Sequence, residues 1–370
     1  MHDKQFFSRR LVAYREARGI NQEMLAEVMG FKDRQTLSAI ENGSRALQPD
    51  ELMKALTYFD VSFEDFADPY SLVGEVAYSW RQNDAVDVML EEFEKKTNRL
   101  VALYRELRQH FSSSAPSVIF PRLSLDKTST LEDAQICAEH LVDELALGDI
   151  PALHLESGLL QRFNILTLNI NAPKDVSGAA IRHKDLSVIL VNRNEVAGRR
   201  NFDIAHEFFH CLTWDALPPR HIEYAYKKAK KPHEEKLADT FASALLMPKK
   251  SINKYLGQLD VLDVLDEKAI NALADKFQVS SQAFKWRLVS LRKLSTNDAK
   301  AFQDDLLLNN GHARETKKPR LFNQQFAEYI AQALDNGIIS VRKMASLTGL
   351  TIEELSQLLQ DYEQPVTFEL

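Results

Sequence analysis

A chain of 370 residues is longer than one hydrophobic core usually supports, so two or three domains are expected. Apolar residues at 45% and only 12 glycines exclude a disordered or fibrous chain, and a net charge of -7 excludes a surface that is basic throughout, leaving any nucleic-acid contact to a local patch. Two cysteines, Cys137 and Cys211, exclude a disulfide framework, and no apolar run reaches the ~18 residues that cross a bilayer, which places the protein in a reducing cytoplasm without a membrane partner.

From about Phe7 to Asp68 the apolar spacing predicts a set of short helices, a first domain over 1–68. Within Gln22-Glu23-Met24-Leu25-Ala26-Glu27-Val28-Met29-Gly30, the residues Leu25, Ala26 and Met29 share one face, and Gly30 supplies the positive φ that ends a helix. Within Thr36-Leu37-Ser38-Ala39-Ile40-Glu41-Asn42-Gly43, Leu37 and Ile40 point inward, leaving Lys32, Asp33, Arg34, Gln35 and Ser38 outside at the N-terminal end. These stretches resemble an XRE-type helix-turn-helix. The resemblance implies DNA as a partner, with Arg34 and Gln35 reading base edges in a major groove and Gln22 and Arg45 against phosphates. Residues 1–60 carry nine basic and nine acidic side chains, so any positive field has to come from Arg9, Arg10, Arg15, Arg18, Lys32, Arg34 and Arg45 gathering on one face, with a homodimer the expected binding species. A helical module of the same shape used for protein contacts is the alternative.

Residues 69–116 read as a helical connector, with Val86, Leu90, Phe93, Leu100, Leu103 and Leu107 at helical spacing between Ala85 and Phe111. Ser112-Ser113-Ser114-Ala115-Pro116 breaks the pattern and marks a boundary.

The next domain, 117–300, is predicted as α+β. It opens with a helix over Leu131 to Leu145, followed by strands at Ile165 to Ile170 and Ser187 to Asn192, two helices within 199–248 and a helical pair from Ile270 to Leu288. On a helix, His206 and His210 stand four apart and aim two imidazoles at one ion, while Glu207, one step round, reaches a water held there. A catalytic zinc takes three protein ligands, so one more is needed. Glu235 is favoured over His233 and Glu234. It stands four residues before Asp239, whose carboxylate is then placed to accept a ring N–H from a ligating histidine, and Leu237, Phe241, Ala242, Leu245 and Leu246 form a stripe for packing against the first helix.

Arg200-Asn201-Phe202-Asp203-Ile204-Ala205-His206-Glu207-Phe208-Phe209-His210 and Glu235-Lys236-Leu237-Ala238-Asp239, ending in Leu245-Leu246-Met247-Pro248, resemble the signature of the ImmA/IrrE metallopeptidases. The resemblance implies Zn2+ as cofactor, a zincin-like fold, Glu235 as third ligand and Glu207 as general base. Two positions depart from the pattern: Phe209 stands where the family has a small residue, and Asp203 where it has threonine. A metzincin is excluded, because Ala216 occupies the position of its third histidine. His221, Tyr224 and Tyr226 are candidates for stabilising an oxyanion, and the edge of Leu186 to Asn192 is a candidate for pairing with an extended substrate. Cys211 reads as a packing residue.

Residues 301–370 are expected to hold a polar stretch from Asn309 to Pro319 and a small helical element over 323–361, turning at Thr348-Gly349-Leu350-Thr351. Its Arg342-Lys343 pair is thin for DNA, so packing or partner contact is expected. The whole is predominantly helical α+β. Proteins with this pairing of modules are regulators, which implies a DNA-binding zinc endopeptidase that cleaves a partner repressor or antitoxin, itself a helix-turn-helix protein, under stress or on entry of a mobile element. The alternative from another class is a transcription factor whose zincin domain senses a ligand or partner with little proteolysis. A third option is self-cleavage near 112–116.

Overall fold

The computed structural model of the chain describes residues 5–73, 77–82, 87–111, 122–172, 176–183, 186–219, 222–224, 231–258, 265–308, 318–366 and 368. Helices α1 (Phe6–Ala17), α2 (Gln22–Met29), α3 (Arg34–Glu41), α4 (Pro49–Phe59) and α5 (Phe63–Ala67) come first, then strand β1 (Ala77–Gln82) and α6 (Asp87–Phe111). There follow α7 (Leu131–Glu144), α8 (Leu155–Phe163), β2 (Ile165–Ile170), β3 (Val176–His183), β4 (Leu186–Asn192), α9 (Ala197–Thr213), β5 (Ile222–Tyr224) and α10 (His233–Leu246). The remaining helices are α11 (Lys249–Leu256), α12 (Glu267–Phe277), α13 (Ser281–Ser290), α14 (Thr296–Ala301), α15 (Gln324–Asp335), α16 (Val341–Thr348) and α17 (Ile352–Asp361). They divide into two compact units: one comprises Met1–Val76, Val88–Ala115 and Gln324–Leu370, the other Ala77–Asp87 and Pro116–Asn323.

In the first unit, Leu11, Leu25, Ala26, Met29, Leu37, Ile40, Phe59 and Phe66 form the core of a helix-turn-helix. Asn21 caps α2 by accepting from Met24 N, Gly30 turns out of it at φ 79°, and Asp33 caps α3 by accepting from Thr36 N. The arginines do not gather as a patch. Arg10 is buried and donates to the Phe66 and Asp65 carbonyls, Arg15 pairs with Glu41 at 2.6 Å, and Arg18 donates to the Phe59 carbonyl. A guanidinium fills backbone acceptors well, and these three are spent holding helices together.

The same unit joins α6 to the C-terminal helices. Tyr104 meets Phe326 edge-on at 5.1 Å and donates to Gln325 Oε1 at 3.1 Å, while Phe111 stacks on Tyr329 at 5.9 Å. Burial pushes the Tyr104 hydroxyl up to about 12. The element over 324–361 is therefore not a separate appendix: it completes the core that α6 begins. The Ser112 to Pro116 boundary lies outside the described residues.

The second unit is built on a five-stranded sheet of order β2-β4-β3-β1-β5, with β2 parallel to β4, β3 antiparallel to β4 and to β1, and β1 parallel to β5. Two expectations are corrected here. Ala77–Gln82, within the segment read as a helical connector, is a strand, paired in register from Ala77 with Arg182 to Arg81 with Gly178. Leu186–Asn192 has no free edge for a substrate, because β2 and β3 bond to its two sides. All seven of its residues are buried, as a strand covered on both faces requires.

Helix α9 packs on β3 and β4 of this sheet, and α10 packs against both α9 and α7, around Leu141, Ile204, Phe208, Leu237, Phe241 and Leu245. Gly198, in the first turn of α9, lies under the α12–α13 turn: a Cβ there would come within 2.6 Å of Ser280 N and 2.7 Å of Val279 C. Asn201 holds the same turn by donating to the Gln278 carbonyl at 2.8 Å. Both neighbours are backbone, so Gly198→Ala is expected to destabilise the unit by about 2–3 kcal/mol, read as a lowered urea midpoint at unchanged slope.

Candidate metal centre

His206, Glu207 and His210 occupy the middle of α9 and are almost fully buried. Glu235 lies in the first turn of α10, buried, and faces them. The Nε2 atoms of His206 and His210 are 3.1 Å apart, and each lies 3.4 Å from a different Glu235 oxygen. Two donors bound at ~2.05 Å to a tetrahedral ion are about 3.3 Å apart, so these three residues fit one ion of zinc's size and preference for nitrogen and oxygen. Among the described residues they form the one His/Cys/Asp/Glu group able to hold a metal. His233 turns elsewhere, to the Ser129 carbonyl at 2.8 Å. Burial works against a charged Glu235, but hydrogen bonds from both imidazoles and their positive charge outweigh it and hold the carboxyl well below its usual range.

Asp239, one turn along α10, places Oδ1 3.1 Å from His206 Nδ1. A proton on Nδ1 then donates to the carboxylate and leaves the Nε2 lone pair for a metal. Lys231 donates to Oδ2 of the same carboxylate, a contact the sequence did not announce because Lys231 ends a lysine-rich run. Asp239→Asn is expected to weaken metal binding 10–100-fold with the fold intact, measured by competition against a chelating dye.

The departures from the family pattern have physical roles. Phe209 packs edge-on to His210 at 5.7 Å and against Phe241 at 5.5 Å, filling the seam between α9 and α10. Asp203 is fully buried and pairs with Arg199 at 3.1 Å, one turn apart on α9. Glu207 lies over β3 at Gly178, where a Cβ would be 3.8 Å from Glu207 Cγ and 2.7 Å from the Leu190 carbonyl. Cys211 is buried in the core, which pushes its thiol well up and keeps it protonated. Of the oxyanion candidates, Tyr224 falls in β5, while its side chain, His221 and Tyr226 lie outside the described residues.

In the helix-turn-helix, Lys32, Arg34 and Gln35 are exposed and Ser38 is half-buried at the start of α3. Gln22 donates to Glu41 at 2.7 Å, and Arg45 forks onto Glu51 at 2.6 and 2.8 Å. Both are tied within the fold and must exchange these carboxylates for any phosphate.

Residues 160–289 match the family model of the IrrE N-terminal-like domain, a peptidase family, and this span contains all four residues of the centre. Residues 11–66 match the helix-turn-helix family model, from α1 into α5. No curated protein matches the chain. The IrrE-like match begins after β1 and α7, so the strand at Ala77–Gln82 lies outside the matched segment. Among the described residues no helix is long and apolar enough to cross a membrane.

Proposed function

We propose that the protein is a DNA-binding regulator and zinc endopeptidase that cleaves a partner repressor or antitoxin. The observation that carries the reading is the convergence of His206, His210 and Glu235 with Glu207 beside them on the same helix. When bound, zinc supplies Lewis acidity, polarising a scissile carbonyl and acidifying a water. Glu207 takes that proton and passes it to the leaving nitrogen, which turns an amide nitrogen into a competent leaving group. Asp239 fixes the tautomer of His206, and Lys231 balances the charge of Asp239. A general base buried against β3 is a feature that a purely structural ion has no use for, and this favours an enzyme over a sensor.

On the DNA side, Lys32, Arg34 and Gln35 form the reading end of α3, with homodimerisation supplying two such ends. Arg34→Ala is expected to weaken specific binding by about 1–3 kcal/mol, roughly 5- to 150-fold, and to relax preference at one base position, seen in a mobility-shift titration at fixed salt.

The experiment is to incubate zinc-loaded protein and its Glu207→Gln variant with a helix-turn-helix repressor from the same source, taking any encoded beside it first, and to follow intact masses over time. A cut made by the wild type alone supports the reading and identifies the bond. One zinc per chain with no cut in any condition, DNA included, would leave the zincin domain as a sensor.

A further inference from the structure

Asp239 serves His206 only while its carboxylate is turned the right way, and the residue that turns it lies outside α10. The Asp239 side chain is 36% exposed, so water competes for its oxygens and its rotamer is not set by burial. Oδ1 has to stay on His206 Nδ1, at 3.1 Å, for the proton to remain on that nitrogen and the lone pair on Nε2. Lys231 donates to the other oxygen, Oδ2, so the carboxylate is held from both ends, by the imidazole at one and by the ammonium at the other. The stem of Lys231 is anchored in turn. Pro232 beside it is the N-cap of α10 with φ at -55°, its carbonyl accepts from Lys236 N at 3.2 Å, and His233 ties the first turn to the Ser129 carbonyl. A lysine just ahead of a helix N-terminus sits against the helix dipole, and pairing with Asp239 offsets that cost.

Charge points the same way. With both imidazoles neutral, as metal ligands are, Glu207, Glu235 and Asp239 bring three negative charges to the centre, and a zinc ion brings two positive ones. Lys231 supplies the third positive charge. Resting on the zinc-centre reading, we infer that Lys231 is a positioning residue of the metal centre: it locks Asp239 onto His206, so that the imidazole is presented with its tautomer and ring angle already set. Among the described residues Asp239 is the one polar partner of the ammonium, so this action runs through Asp239 alone.

A double-mutant cycle in zinc affinity tests this on the full-length protein, read by competition against a chelating dye and independent of any peptide cleavage. Direct repulsion between the ammonium and a dication is present with either Asp or Asn at 239, and the cycle cancels it. Lys231→Met is expected to weaken zinc binding about three- to tenfold in the wild-type background, less than Asp239→Asn does. It is expected to cause no loss where Asp239→Asn is already present, because an amide gives the ammonium no charge to hold. Lys231→Arg is expected to restore the affinity, since it keeps the charge and the donors. With Co2+ in place of zinc, the visible absorption bands of Lys231→Met are expected to move towards those of Asp239→Asn and to return in Lys231→Arg. Equal fold-changes on Lys231→Met in the two backgrounds, zero included, would overturn the inference while leaving the zinc centre in place. Wild-type protein that takes up no zinc overturns the centre itself, and the inference with it.

Discussion

Glu207→Gln will lower peptide cleavage by about 10²–10⁴-fold while zinc stoichiometry stays at that of the wild type. The amide keeps the shape that packs over Gly178 and removes the basic oxygen that accepts the proton. Glu207 is not among the three converging donors, so the metal affinity has no reason to fall. The fall should appear in kcat and in kcat/KM alike, because the lost interaction exists only as the proton moves. Zinc quantified alongside single-turnover rates separates this from simple metal loss: a variant that loses both would place Glu207 among the ligands and return the general-base role to another group.

Arg287→Met will cost about 3 kcal/mol of stability. Arg287 is buried in α13, donates Nε to the Met247 carbonyl at 3.0 Å, and donates Nη2 to Glu139 of α7 at 2.8 Å. It thereby ties the end of α10, which carries Glu235, to the helices on both sides. Burial lowers the guanidinium's pKa and the Glu139 charge works back against that, so the ion pair is partly desolvated. Breaking a fully buried pair costs 3–5 kcal/mol, but the Glu139 side chain is 34% exposed and recovers water on losing its partner. The Met247 carbonyl stays orphaned, which adds about 1 kcal/mol or more. Methionine keeps the aliphatic volume, so the loss is of bonds rather than packing. Arg287→Lys should recover little, since an ammonium cannot reach two acceptors in the fork geometry. Urea unfolding at pH 7 measures both.

The centre was legible in the sequence because one helical period does the work: residues four apart meet, whether His206 with His210 or Glu235 with Asp239. Such local rules hold before any tertiary structure is known. The helix-turn-helix core was legible for the same reason, and Gly30, Leu37 and Ile40 fall as the pattern requires. What escaped depends on partners far along the chain. Val176–His183 includes Gly178, Ala179 and Ala180, poor strand formers held by the strands on either side, and β1 finds its partner about a hundred residues later. The free edge expected for Leu186–Asn192 was contradicted by its own near-continuous apolar run, which belongs to an interior strand rather than an edge. Arg10, Arg15 and Arg18 read as surface charge because sequence does not say which arginine will find a buried carbonyl or carboxylate.

The pairing of α6 with α15 orders events during synthesis. Leu103, Tyr104 and Leu107 leave the ribosome more than two hundred residues before Phe326 and Tyr329, with which Tyr104 packs. The helix-turn-helix, whose contacts are local, is competent to fold at once, whereas the apolar side of α6 waits through translation of the entire second unit. The nascent chain therefore carries a long-lived sticky helix, and its yield in the cell should depend on holding chaperones more steeply than its final stability would suggest.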